Sequence, residues 1–118
     1  MLKKVENYEV INEIPEKCLI IKLRQETVEK KGLYDAVRAS WNLNVENARK
    51  ADYIIASVNT IVKEVYKNIT WEQADDGRYQ FTAWVAEDEI REKYIYKRIP
   101  QKYRVMGNEN PCLYTFDR

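Results

Sequence analysis

"DYIIASVNTIVKEVYK", residues 52–67, decides the fold. Two β-branched runs, "YIIASV" and "IVKEVYK", are separated by Asn59 and Thr60. Asparagine tolerates positive φ, so the pair reads as an antiparallel hairpin closed by a two-residue turn. Residues 52–58 and 61–67 are expected to pair. Strand alternation predicts Ile61, Lys63 and Val65 on one face of the second strand, with Val62, Glu64 and Tyr66 on the other.

Further strands are expected on both sides of this hairpin. "KCLIIKL" (17–23) is an apolar run of strand length, and the polar "RQETVEKKG" closes it. "YEVI" (8–11), ahead of Pro15, is expected to add a short edge strand. "ITWEQ" extends the hairpin, "DDG" (75–77) marks a turn, and "RYQFTAWV" (78–85) alternates as another strand. "YRVM" and "CLYTF" read as short closing strands around "GNENP". Helices are predicted at "LYDAVRAS", after Asn44 over 45–50, and at "EDEIREKYIYKR", whose acidic start and basic end suit the helix dipole. The fold class is α+β: a small, twisted, mostly antiparallel β-barrel or half-barrel with two or three short helices.

The 118 residues form one domain by length, with 1–16 an N-terminal extension or edge strand and 17–116 the barrel-like core. Twenty basic and 19 acidic residues leave a net charge of +1, so any polyanion must be held by a local patch. There is no histidine, which removes the usual general base and the usual partner of a nucleophilic Ser or Cys. Cys18 and Cys112 are far apart, in no metal spacing, and read as reduced core thiols. No apolar run reaches the length of a membrane span, and the N-terminus has no signal-peptide core. The expectation is a cytoplasmic protein without cofactor, metal or membrane partner, and not an enzyme.

"LYDAVRASW" (33–41) places Tyr34, Arg38 and Trp41 at i, i+4 and i+7. On a helix this makes an aromatic, cationic, aromatic stripe. The stripe is either the rim of the core, with the Arg38 stem covering it, or a site where Arg38 meets an anion and Trp41 offers a stacking face. Arg38 is expected to point into the same concavity as Trp41, paired with a carboxylate, Glu64 first, or with an anion. Glu64 is expected to be the partner of Arg38 or Arg78. Trp71 is either core or a second wall opposite Trp41, and Trp84 reads as a surface aromatic. Asn110, before Pro111, either caps its turn or recognises a base. Residues 91–104 interleave Arg91, Lys93, Lys97, Arg98, Lys102 and Arg104 with Tyr94, Tyr96 and Tyr103. That pattern suits single-stranded nucleic acid or a solvated face.

"YDAVRASW", "KADYIIASVNTIVKEVY", "GRYQF" and "YKRIPQKYRVMGNENPCLY" together resemble a family of small bacterial proteins and C-terminal domains. The family pattern runs Y-(D/E)-A-T-R-G-x-W, A-x-Y-A-F-A-V-Y-x-G-x-I-x-E-V-Y, a Trp, G-R-W-x-F, Y-x-G-K-x-V and G-x-(Q/E)-N-P-x-x-Y. The resemblance covers about residues 17–116. It is carried by Arg38, Trp41, Tyr53, Glu64, Tyr66, Trp71, Arg78, Phe81, Tyr94, Lys97, Gly107, Asn110, Pro111 and Tyr114. Three family glycines are replaced: by Ala39, by Asn59 and Thr60 at the hairpin, and by Tyr96. The family is similar to PUA-like barrels, including the EVE and ASCH groups, and that likeness implies a pocket for RNA or a modified base between barrel and helices.

The expected function is a non-catalytic binding module for a nucleotide, a modified base or a short RNA or DNA segment. Arg38, Trp41, Tyr66, Trp71 and Asn110 would line the pocket, with Lys97 and Arg98 near the phosphates. The alternative is a protein-interaction module or small phage-type regulator that uses exposed Tyr and Trp as anchors.

Overall fold

The computed structural model describes residues 8–104 and 110–118. The hairpin forms as expected: β2 (Tyr53–Val58) pairs antiparallel with β3 (Ile61–Gln73). Asn59 and Thr60 both take positive φ, 52° and 69°. These belong to a primed turn, whose twist matches that of the strands. β1 (Cys18–Leu23), β4 (Tyr79–Val85) and β5 (Cys112–Tyr114) complete one sheet in the order β4-β3-β2-β1-β5. β1 and β2 run parallel, and the other neighbouring pairs are antiparallel. The sheet ends at β4 and β5 and is not closed, so the expected barrel closure gives way to an open mixed sheet.

The parallel pair has a physical origin. Between Leu23 and Tyr53 the chain crosses over through three helices: α1 (Gln25–Lys31), α2 (Leu33–Arg38) and α3 (Val45–Arg49). A crossover of this kind returns the chain parallel to its first strand. Each helix is too short to show a clear 3.6-residue period. α1 buries no residue, which is why its sequence looks like a polar loop. α3 opens as expected, with the Asn44 side chain accepting a bond from the Asn47 amide (3.1 Å). α4 (Asp88–Tyr94) and a 3-10 turn at Gln101–Tyr103 follow β4. Tyr103 and Arg104 thus start no strand at "YRVM", whose last two residues lie outside the described ones. "YEVI" contributes a single bridge, Val10 to Arg98.

Both faces of the sheet are covered, so β1 and β2 read as continuous apolar runs. On one face Ala36, Val37 and Ala48 of α2 and α3 pack on Leu19, Ile21, Ile54, Ala56, Trp71 and Phe81. On the other, Ile11, Ile14, Tyr94 and Ile99 pack on Cys18, Ile20, Ile55, Val62 and Val65. Cys18 and Cys112 are free and buried on opposite faces, although β1 and β5 are neighbours.

Two bulges alter the expected facing of β3. Ala56 pairs with Glu64 and Ser57 with Val62, leaving Lys63 as the extra residue. Val62 and Val65 therefore share a face, which corrects the simple alternation. A second bulge leaves Ile69 between Asn68 and Thr70. It brings Asn68 and Trp71 together, and the indole donates to Asn68 Oδ1 (2.9 Å). Asn68 Nδ2 donates to the carbonyls of Ala48 and Ala51 (3.0 and 2.8 Å), tying the end of α3 to the sheet.

α4 is held through Glu16. Lys93 pairs with its carboxylate, and the buried Tyr94 hydroxyl donates to it. Burial raises the Glu16 pKa, but the bonds from Lys93 and Tyr94 outweigh it and hold the carboxyl below its ordinary 4.5. A depressed carboxyl contributes stability above its unfolded pKa and loses it as pH falls through the folded one. Urea midpoints should therefore drop as pH falls through and below 4.5, and Glu16→Gln should flatten that drop; an unchanged acid limb contradicts the tie. The turn makes a second prediction. Positive φ costs a residue with a side chain roughly 1 kcal/mol, so Thr60→Gly should be more stable than Thr60→Ala, both having lost the hydroxyl that bonds Arg98, by about that amount in urea unfolding. A glycine variant no more stable than the alanine variant would contradict the turn geometry.

Candidate functional site

Helix α2 stops at Arg38, and Ala39 is extended. Trp41 therefore does not continue a helical stripe. Its backbone instead pairs with Tyr79 of β4 in both directions, at 2.8 and 2.9 Å. Arg38 Nε donates to the Phe81 carbonyl (3.1 Å). Tyr34 Oη accepts from the Ala83 amide (3.0 Å). Tyr79, Phe81 and Ala83 are alternate residues of an edge strand, so their backbone groups point away from β3. The three residues singled out by spacing cover the open edge of the sheet, the protection that edge strands require.

Glu64 is not the partner of Arg38. It takes a two-bond contact from Arg91 of α4, at 2.7 Å from Nε and 3.2 Å from Nη2. Sequence spacing pointed to Arg38 or Arg78 because it carries no information on which helix crosses β3. Arg78 serves its turn, its amide donating to Asp76 Oδ1 (2.9 Å).

The expected pocket residues fall in different places. Tyr66 is buried against Tyr34 (ring centroids 5.4 Å), and burial, then Glu64, push its hydroxyl up to about 12. Trp71 is 6% exposed and packs on Phe81 at 5.0 Å, so it is core and no second wall to Trp41. Lys97 pairs with Glu9 (3.6 Å) on the α4 side of the sheet. Arg98 lies by the hairpin turn, its guanidinium bonded to Thr60 and set over the Tyr8 ring.

Trp41 and Asn110 do meet. They line one cleft of about 560 Å³ with Leu23, Arg24, Thr27, Ala36 and Pro111, at the carboxyl end of β1. The Trp41 indole is fixed, its Nε1 donating to the Val37 carbonyl (2.6 Å). Asn110 is exposed, and its Oδ1 accepts from the Cys112 amide (3.0 Å), an Asx turn that "NP" foreshadowed. Arg24 is exposed and pairs with no carboxylate among the described residues. The cleft thus combines an apolar wall, an amide, a hydroxyl and a cation, in the usual size range of ligand sites. Arg24 and Thr27 escaped the sequence reading because α1 did; a cation directly after an apolar strand was the available signal. Gly107 of the same loop lies outside the described residues.

Burial pushes both thiols up to about 12, far from a reactive thiolate. No group of three potential metal ligands occurs among the described residues, and none of their helices is long and apolar enough to cross a membrane. No protein-family model, curated protein or solved structure matches the chain.

Edge covering has a measurable consequence. Tyr34→Phe and Arg38→Met should each lower stability by about 1 kcal/mol, the value of one hydrogen bond. Amide exchange at Ala83 should quicken in the Tyr34 variant. Unchanged stability and unchanged exchange would show that the edge needs no cover.

Proposed function

We propose that the protein is a non-catalytic binding module for a nucleotide or modified base, alone or within a short RNA or DNA segment, and that the cleft beside Trp41 is its site. One observation carries this reading: a fixed indole, an exposed arginine and an exposed asparagine converge on one cleft at the end of β1. An indole face stacks a base, and a guanidinium takes a phosphate in a charge-assisted contact. Thr27 and Asn110 supply polar groups to orient the ligand.

The resemblance to the PUA-like family supports the same reading. Of the positions where that family has glycine, Asn59–Thr60 and Tyr96 keep the positive φ that glycine would favour, whereas Ala39 is extended.

A second reading, a protein-contact module, has its own observation. Trp84 is 66% exposed and Val85 54%, both near the end of β4. Aromatic anchors of this kind often carry interface energy.

Calorimetric titration with the four nucleoside 5′-monophosphates separates the two. The cleft reading expects saturable binding of at least one. Arg24→Gln and Trp41→Ala should each weaken it about tenfold, the worth of one charge-assisted bond or one stacked base, and Trp84→Ala should leave it unchanged. Absence of binding, or loss only on Trp84→Ala, overturns it.

A further inference from the structure

A second cleft of about 340 Å³ lies at the same end of the parallel pair as the first. Tyr8, Gln25, Val58, Asn59, Lys63 and Arg98 line it. Leu23 of the Trp41 cleft and Val58 of this one are register partners on neighbouring strands. Neighbouring strands lie about 4.8 Å apart. Arg24 borders the first cleft, and the next residue, Gln25, borders the second. Both clefts therefore open at the carboxyl ends of the parallel pair β1 and β2.

The second cleft is cationic. Lys63 and Arg98 pair with no carboxylate among the described residues, and two acids nearby are paired with other cations: Glu64 with Arg91 and Glu9 with Lys97. The two cations are also well placed. Lys63 is the bulged residue of β3, and bulges commonly re-aim a side chain. Arg98 has its backbone bonded to Glu9 and Ile11 and its guanidinium to Thr60. Each cation lies over a tyrosine ring, Lys63 over Tyr96 at 5.9 Å and Arg98 over Tyr8 at 5.7 Å. Tyr96 is 62% exposed and held at a φ of 61°, a conformation disfavoured for its type. Cations set against an exposed ring and a half-buried one at fixed positions make a surface that holds phosphates and stacks bases.

We propose that the two clefts are subsites of one ligand, a single-stranded oligonucleotide laid across the ends of β1 and β2. One base stacks on Trp41 with its phosphate at Arg24, and the next phosphate lies at Lys63 and Arg98. This rests on the nucleotide reading of the Trp41 cleft, which it extends from a single unit to a strand.

The test compares hexauridylate with uridine 5′-monophosphate by calorimetry across a salt series, with the other three homohexamers and their monophosphates as parallel arms. At least one hexamer should bind about tenfold or more tighter than its monophosphate, the worth of one further charge-assisted contact. Lys63→Gln and Arg98→Gln should erase most of that gain while leaving monophosphate binding unchanged. Each should also reduce the slope of log affinity against log salt by about 0.7. Melting curves check that the variants fold; if Arg98→Gln does not, Lys63→Gln carries the test. A monophosphate that binds as tightly as its hexamer, or variants that leave the gain and the slope intact, overturns the second subsite and spares the first. Failure of every monophosphate and hexamer to bind overturns both.

Discussion

The structure depends on the cover given to the free edge of β4. A thirteen-residue β3 carries β4 as the last strand of an open sheet. Left bare, that edge would present unpaired amides and carbonyls to any passing strand. One short segment supplies three different solutions: a phenol oxygen for Ala83, a guanidinium for Phe81 and a paired backbone for Tyr79. The same contacts press Ala36 and Val37 of α2 into the core. They also fix the backbone of Trp41 at the rim of a cleft. Edge protection and the placement of the candidate site are thus one arrangement.

Much of this was legible where local chemistry decides the outcome. The Asn59–Thr60 turn, the Asn44 cap, the dipole-matched α4 and the exposed Trp84 follow from residues close in sequence. The illegible parts are those decided by distant partners or by an added residue. Arg38 finds a carbonyl 43 residues away, and Glu64 an arginine 27 residues away. The bulges at Lys63 and Ile69 reverse facing without any glycine to mark them. The crossover is split into helices of five to seven residues, below the length at which a period declares itself, so a parallel pair looked like a meander. Of the seven residues expected to bind, Trp41 and Asn110 share the Trp41 cleft, and Arg98 lines the second one. Arg38, Tyr66 and Trp71 went instead to the packing around β4, and Lys97 pairs with Glu9 and lines neither cleft.

Charge placement explains why the net balance of +1 is compatible with the proposed oligonucleotide site. Two acids near the sheet are matched by internal cations: Glu16 by Lys93 and Glu64 by Arg91. Arg24, Lys63 and Arg98 remain without carboxylates among the described residues, at one end of the sheet. A local positive field then arises without bulk excess, and its reach is about a Debye length, ~8 Å at physiological salt.

The three tryptophans stand in three settings: Trp41 in the cleft, Trp71 in the core and Trp84 on the exposed end of β4. Their indole N–H signals in a two-dimensional nitrogen–proton spectrum report on each separately. During titration with a nucleoside monophosphate, the account expects the Trp41 indole and the Asn110 region to shift in a saturable way while Trp71 and Trp84 stay in place. A spectrum in which Trp84 alone moves, or in which all three remain still, would contradict it.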